Sequence, residues 1–284
     1  MGPTASGKTA LAEALADSLD AELLNADAFQ VYRGLNIGTA KPVERGRYHL
    51  VDILEPTEPF GLGAFISKAM VVLSDAFRAK RSVVVVGGSG LYIRGLFEEY
   101  ASVGAKPDPS VRRFYEDVER HQGLEALVKL LTERSLADAE RTDLRNPLRV
   151  RRALERLDSA PAEAHRLPAF VKHKVAVSPE PEVLDRRIKQ RVLAMLEQGW
   201  IEEVQMLMLR GIPLDAPGMR AIGYREIATR LIEGTPLEGL EEELALRTRQ
   251  YAKRQRTWLR SEPNLHFLRS EDCEAQRKEA VFLL

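Results

Sequence analysis

The stretch "GPTASGKT", Gly2 to Thr9, constrains this chain more than any other. Its spacing, G-x-x-x-x-G-K-[ST], is that of a loop whose backbone N–H groups wrap phosphates, with Lys8 balancing their charge and the Thr9 hydroxyl reaching Mg²⁺. Pro3, Thr4, Ala5 and Ser6 fill the positions between the two glycines, Gly2 and Gly7, so the whole run is the expected phosphate-binding wall. A helix follows, because Leu11, Leu15 and Leu19 recur at i, i+4 and i+8. The pattern identifies phosphate and says little about what the phosphate is attached to.

A loop of this kind joins a strand to a helix. The runs "AELL" (21–24), "SVVVVGGSG" (82–90) and "FVKHKVAVS" (170–178) read as further strands separated by helical sequence. Continuous apolar strands alternating with helices predict a parallel sheet covered on both faces. The expected fold class is therefore α/β, a P-loop NTPase-like parallel sheet flanked by helices. The texture turns to charged helical sequence between "KPDPS" and "NP", which predicts a helical insertion lobe over 106–146. The catalytic core is then 1–105 with 147–284, the latter mostly helical up to Arg260 apart from the break "GIPLDAPGMRAIGYRE".

Composition narrows the function classes. Lys plus Arg and Asp plus Glu both total 42, so any nucleic-acid surface has to come from local clustering. Cys273 is the only cysteine, which excludes an internal disulfide and a thiolate zinc site and points to a reducing, cytoplasmic setting. No apolar run is long enough to span a membrane. Gly2 and Ser6 also match a short myristoylation pattern, but the longer phosphate motif already accounts for both.

Asp27 follows the second strand run, where ligands of open parallel sheets bind. It can take a proton from an acceptor or orient metal-bound water; it can equally cap the turn of "NAD". The third run ends in "GGSG" with no acid to organise Mg²⁺, which weakens a nucleotide-hydrolase reading. Two basic stripes stand out: Arg145, Arg149, Arg152 and Arg156, and then Arg249, Lys253, Arg256 and Arg260. Both have helical spacing and no acid on the stripe, and Tyr251 and Trp258 beside the second are expected to stack on unpaired bases.

Taken together, "GPTASGKT" (2–9), "DAFQVYRGLNIGTAKP" (27–42), "VVGGSGLYIRGL" (85–96), "NPLRVRRALE" (146–155), "MRAIGYRE" (219–226) and "KRQRTWLR" (253–260) resemble the bacterial tRNA dimethylallyltransferase family, also called tRNA isopentenyltransferases. The resemblance implies Mg²⁺-dependent transfer of a dimethylallyl group from dimethylallyl diphosphate to N6 of the adenosine 3′ of the anticodon. It implies that Asp27 is the general base, that Arg220 lies near the diphosphate, and that Lys8 and Thr9 serve the leaving group. Matching tRNA-contact segments are Asp27, Ala28, Phe29 and Gln30; Ser89; Leu148, Arg149, Val150, Arg151 and Arg152; Arg220, Ala221, Ile222, Gly223, Tyr224 and Arg225; and Lys253, Arg254, Gln255, Arg256, Thr257, Trp258, Leu259 and Arg260. The partners implied are dimethylallyl diphosphate and a tRNA anticodon stem-loop, gripped in part by the insertion, with the enzyme acting as a monomer.

The chain departs from the family pattern at three points: Ala28 stands where serine is usual, Leu148 where glutamine is, and Ser89 where threonine is. The family also places a short apolar strand before the phosphate loop, and the expectation is that this strand lies some five to ten residues upstream of Met1. The alternatives are a small-molecule kinase using ATP, which leaves the basic stripes unexplained, and a non-catalytic RNA-binding module, which leaves the phosphate loop idle.

Overall fold

The computed structural model describes residues 1–98, 108–159, 165–269 and 272–283. The phosphate loop runs straight into α1 (Lys8–Leu19), and β1 (Glu22–Asn25) follows. After a long loop come β2 (Tyr48–His49), α2 (Leu62–Arg78), β3 (Val83–Val86) and α3 (Gly90–Phe97). The three strands form a parallel sheet in the order β2-β1-β3, with Leu23 opposite Val84 and Leu24 opposite Val85. α1 divides its apolar side: Ala12 and Ala16 pack with Leu23, Tyr48 and Val86, while Leu11 and Leu15 pack with Val177, Leu268 and Ala280. Small residues toward the sheet let the helix, and so the loop at its start, lie close over the strand ends.

A helical unit follows: α4 (Pro109–Arg134), broken at Gly123, then α5 (Leu136–Arg141) and α6 (Pro147–Leu157). The chain returns through β4 (Lys174–Ala176), α7 (Pro181–Glu197), α8 (Trp200–Leu209), α9 (Tyr224–Glu233), α10 (Leu240–Arg260), β5 (Leu265–Phe267) and α11 (Cys273–Phe282). Two compact units result, Met1–Phe97 with Leu167–Leu284, and Glu98–Arg166.

The bounds differ from the expected insertion of 106–146, whose start lies outside the described residues. α6 goes with the helical unit because Val150, Ala153 and Leu154 are buried against Tyr115, Val118, Leu127 and Leu131 of α4. That apolar face outweighs the proline-bearing break "NP", which turns out to start a helix: Pro147 occupies its first turn and Asn146 caps it.

The expected single sheet is two pieces. β4 and β5 pair in parallel as a separate two-stranded sheet, and neither β5 nor β2 was legible as a strand. No strand precedes the phosphate loop among the described residues. Met1 nevertheless bonds in strand fashion to β4 and the residue after it: its N–H donates to Val175 O at 2.6 Å, and Val177 N–H donates to Met1 O at 2.9 Å. With β3 at the end of its sheet, Val83, Val84 and Val85 stay half-buried although their run reads as a buried strand.

Candidate functional site

The loop from Gly2 to Gly7 is held in a concave shape by Ala5 (φ 60°) and Gly7 (φ 91°), both in the left-handed region. Successive N–H groups turned inward by such a backbone form an anion-binding nest. The first turn of α1 carries no acidic side chain and no side-chain cap, so its unbonded N–H groups and the helix dipole favour an anion at this end. Lys8 folds back over the loop and donates to Pro3 O at 3.3 Å. Burial pulls its ammonium down to about 8, an effect that nearby Asp27 opposes and nearby Arg191 reinforces.

Asp27 stands just past the end of β1, and the geometry reconciles its two expected roles. One oxygen, Oδ1, accepts from Phe29 N–H at 2.8 Å and Gln30 N–H at 3.3 Å, which caps the turn. The other oxygen accepts from no donor among the described residues, so it is left to act as a base. Around it stand Lys8, Arg191, Tyr92 and Tyr251, each of which feels its charge. Burial raises both phenols well above the usual tyrosine value, Asp27 adding to the effect, so both stay protonated near neutral pH.

Arg191, on α7, was missed by sequence reasoning. It is partly buried, burial lowers its guanidinium below the ordinary value with Asp27 offsetting, and it makes no hydrogen bond or ion pair among the described residues. A desolvated, unpaired guanidinium beside a phosphate loop is a strong electrostatic invitation to an anion. The signal was weak in the sequence because "LDRRIKQRV" holds several arginines and lysines at ordinary helical spacing and only packing separates them.

Arg220 lies in the segment between α8 and α9. It is exposed, its charge acts on the Tyr32 phenol, and it lines a cleft of about 420 Å³ with Arg225, Glu226, Arg230 and Arg247. Thr9 lies in the first turn of α1, half-buried beside Lys8. Among the described residues no three His, Cys, Asp or Glu side chains converge as a metal cluster. Oxygen donors suit Mg²⁺, which is commonly held by one or two protein oxygens plus substrate phosphates; Thr9 and the phosphates of a bound ligand fit that set.

The expected RNA-contact segments split into outward and inward residues. Leu148, Arg149, Arg152, Arg225, Lys253, Arg254, Thr257 and Arg260 are exposed; Ala28, Phe29, Gln30, Ser89, Arg151, Ile222, Arg256 and Trp258 are half-buried. Val150, Ala221, Gly223, Tyr224, Gln255 and Leu259 are buried, so they build the scaffold under the surface. Gln255 shows this most clearly: its Oε1 accepts from Thr4 N–H at 2.8 Å and its Nε2 donates to Gly88 O at 2.9 Å, joining the phosphate loop to the loop after β3. Trp258, expected to be free for base stacking, lies so close to Gly90 that a Cβ there would come within 2.0 Å of the indole. The Arg94 guanidinium stacks on the ring, 4.3 Å from its centroid.

Comparison with known proteins addresses what this phosphate site serves. A family model described as IPP transferase matches residues 30–262. The tRNA dimethylallyltransferase of Geobacter metallireducens is 40% identical over 277 residues, spanning 93% of this chain and 89% of the relative. The chain belongs to the IPP transferase family. Among solved structures, the tRNA isopentenylpyrophosphate transferase of Bacillus halodurans superposes on this IPP transferase with a TM-score of 0.73 at 32% identity, covering 99% of this chain and 93% of that one. A eukaryotic dimethylallyltransferase acting on tRNA gives 0.75 at 26% identity, covering 91% and 68%. The P-loop-like α/β class read from the sequence is thus the class of this IPP transferase. The kinase alternative has no counterpart in these relatives.

Proposed function

We propose that this IPP transferase moves a dimethylallyl group from dimethylallyl diphosphate to N6 of adenosine 37, 3′ of the anticodon in tRNA, and releases diphosphate. One observation supports this most: two desolvated cations, Lys8 and Arg191, flank a carboxylate that keeps one oxygen uncommitted, at the mouth of a phosphate loop. The C1–O bond of the donor breaks as the C1–N6 bond forms. Charge developing on the leaving diphosphate is neutralised by Lys8, Arg191 and the loop N–H groups. The N6 lone pair is delocalised into the purine, so Asp27 takes the amine proton as the bond forms and later returns it to solvent. Mg²⁺, held by the Thr9 hydroxyl and diphosphate oxygens, would add Lewis-acid neutralisation of the leaving group.

The acceptor base reacts only when unstacked, so the adenosine is extruded from the anticodon loop toward Asp27. The RNA backbone is held chiefly by the exposed cations of α10, with the helical unit gripping the anticodon stem. No described helix is long and apolar enough to cross a membrane. The proposed setting is the cytoplasm and the proposed active species a monomer.

The test is transfer from dimethylallyl diphosphate to an unmodified anticodon stem-loop, read by nucleoside mass spectrometry. Asp27→Asn is expected to lower the rate by about 10²-fold or more. A wild-type protein that leaves the adenosine unmodified, or that binds ATP in preference to dimethylallyl diphosphate by calorimetry, would overturn the reading.

A further inference from the structure

Asp27 and Arg220 lie on two different loops, and one side chain on α8 ties those loops together. The Glu203 carboxylate accepts from three consecutive backbone N–H groups of the segment after Asp27: Asn36 at 2.8 Å, Ile37 at 2.9 Å and Gly38 at 3.4 Å. It also accepts from the Tyr224 hydroxyl at 2.6 Å, four residues beyond Arg220. One turn earlier on α8, the buried Trp200 is wedged between the same two segments. A Cβ on Gly38 would come within 2.1 Å of its indole, and one on Gly223 within 2.2 Å.

The ties continue to the base. Gln30 Nε2 donates to Thr39 O at 3.0 Å and Ala40 O at 3.1 Å, next to the amides that Glu203 holds. Gln30 N–H in turn donates to Asp27 Oδ1. On the other side, Tyr224 N–H donates to Ala221 O, adjacent to Arg220. Burial, with the Glu203 charge second, raises the Tyr224 phenol well above its usual value and keeps it a donor.

We propose that Glu203 is a positioning residue for the transfer: by gathering the amides of 36–38 and the Tyr224 hydroxyl, it sets the Asp27 loop against the Arg220 loop and so aims the free Asp27 oxygen at the acceptor amine. A carboxylate is required because every group it meets is a donor; a glutamine would turn an NH₂ group toward N–H. Among the described residues Glu203 makes no hydrogen bond or ion pair to the phosphate loop or α10, so donor binding is expected not to depend on it. The inference rests on the transferase reading of Asp27.

The test is a double-mutant cycle in the stem-loop transfer assay, using the full chain. Glu203→Gln is expected to lower kcat about tenfold or more, since small misplacements of a reacting group are costly. KM for dimethylallyl diphosphate is expected to move less than about threefold, and Glu203→Asp to recover part of kcat. In the Asp27→Asn background, Glu203→Gln is expected to cost less than about threefold more, because residues acting through one another are not additive. Tyr224→Phe, which removes one donor and keeps the shape, runs through the same cycle should Glu203→Gln fail to fold; it is expected to lose about threefold, again without effect when Asp27 is absent. Full kcat in Glu203→Gln, losses that multiply with Asp27→Asn, or a loss confined to donor KM would each overturn the inference while leaving the transferase reading intact. A wild type inert toward the RNA fails that reading, and the inference falls with it.

Discussion

The two basic stripes are alike in sequence and different in structure. On α6, Arg149 pairs with Asp143 at 3.3 Å, Arg152 with Glu155 at 2.6 Å, and their neighbour Arg151 with both Glu116 and Glu119. Of that stripe, only Arg145 and Arg156 are without an ion pair among the described residues. On α10, Arg249, Lys253, Arg256 and Arg260 all lack one among the same residues. The expectation that neither stripe is compensated thus fails for α6. Arg149 and Arg152 find acids close by, in the preceding turn and one turn along α6, whereas Arg151 draws its two from α4, a contact only the tertiary structure reveals. The lesson is that a run of cations marks a nucleic-acid surface only where the fold leaves its charge unspent.

The largest effect expected to sharpen this contrast comes from buried cations. Replacing Arg191, which has no partner among the described residues, with methionine is expected to lower kcat/KM for dimethylallyl diphosphate by about 10²-fold, as loss of a preorganised charge at a leaving group does. Replacing Arg151, ion-paired with Glu116 and Glu119, with methionine is expected to leave transfer nearly unchanged and to cost about 1 kcal/mol of stability, measured by urea unfolding. Equal kinetic losses in the two variants would break the comparison.

Next in size is RNA binding. Lys253→Ala with Arg256→Ala is expected to weaken stem-loop affinity about tenfold at moderate salt and to make the slope of log K against log salt shallower by about 0.7–0.9 for each phosphate left without its cation. The matched α6 pair, Arg149→Ala with Arg152→Ala, is expected to change affinity less than about threefold, because those cations are already neutralised. Filter binding over a salt series distinguishes the two.

A smaller effect follows from Lys8. Its folded value of about 8 lies below the ordinary lysine value of 10.5, so about half of the ammonium has lost its proton at pH 8 and most of the rest is lost above it. Donor kcat/KM, which reports the free enzyme, is expected to fall as pH rises from 8 to 9. Stability is expected to move the other way: between about 8 and 10.5 the unfolded chain binds more protons, so unfolding free energy rises with pH across that window. A Lys8→Met protein lacking both dependences would tie them to this side chain; an unchanged profile would assign them elsewhere.

The phosphate loop, the strands at Glu22–Asn25, Val83–Val86 and Lys174–Ala176, and the helices of the C-terminal half were legible because each is a local pattern: a glycine spacing, a β-branched run, a helical period. Local chemistry likewise singled out Lys8, Thr9 and Asp27. What the sequence could not settle was how residues far apart meet. Val150, Ala153 and Leu154 place α6 with the helical unit, and Gln255 and Trp258 turn inward within a segment that reads as basic surface. Arg191 joins Asp27 from α7, and Arg220 lines a cleft with Arg225, Glu226, Arg230 and Arg247. Charge pairing, desolvation and packing depend on distance in space, which a linear pattern records only within a turn or two of helix; the loop for phosphate was written in the chain, and the company it keeps was decided by the fold.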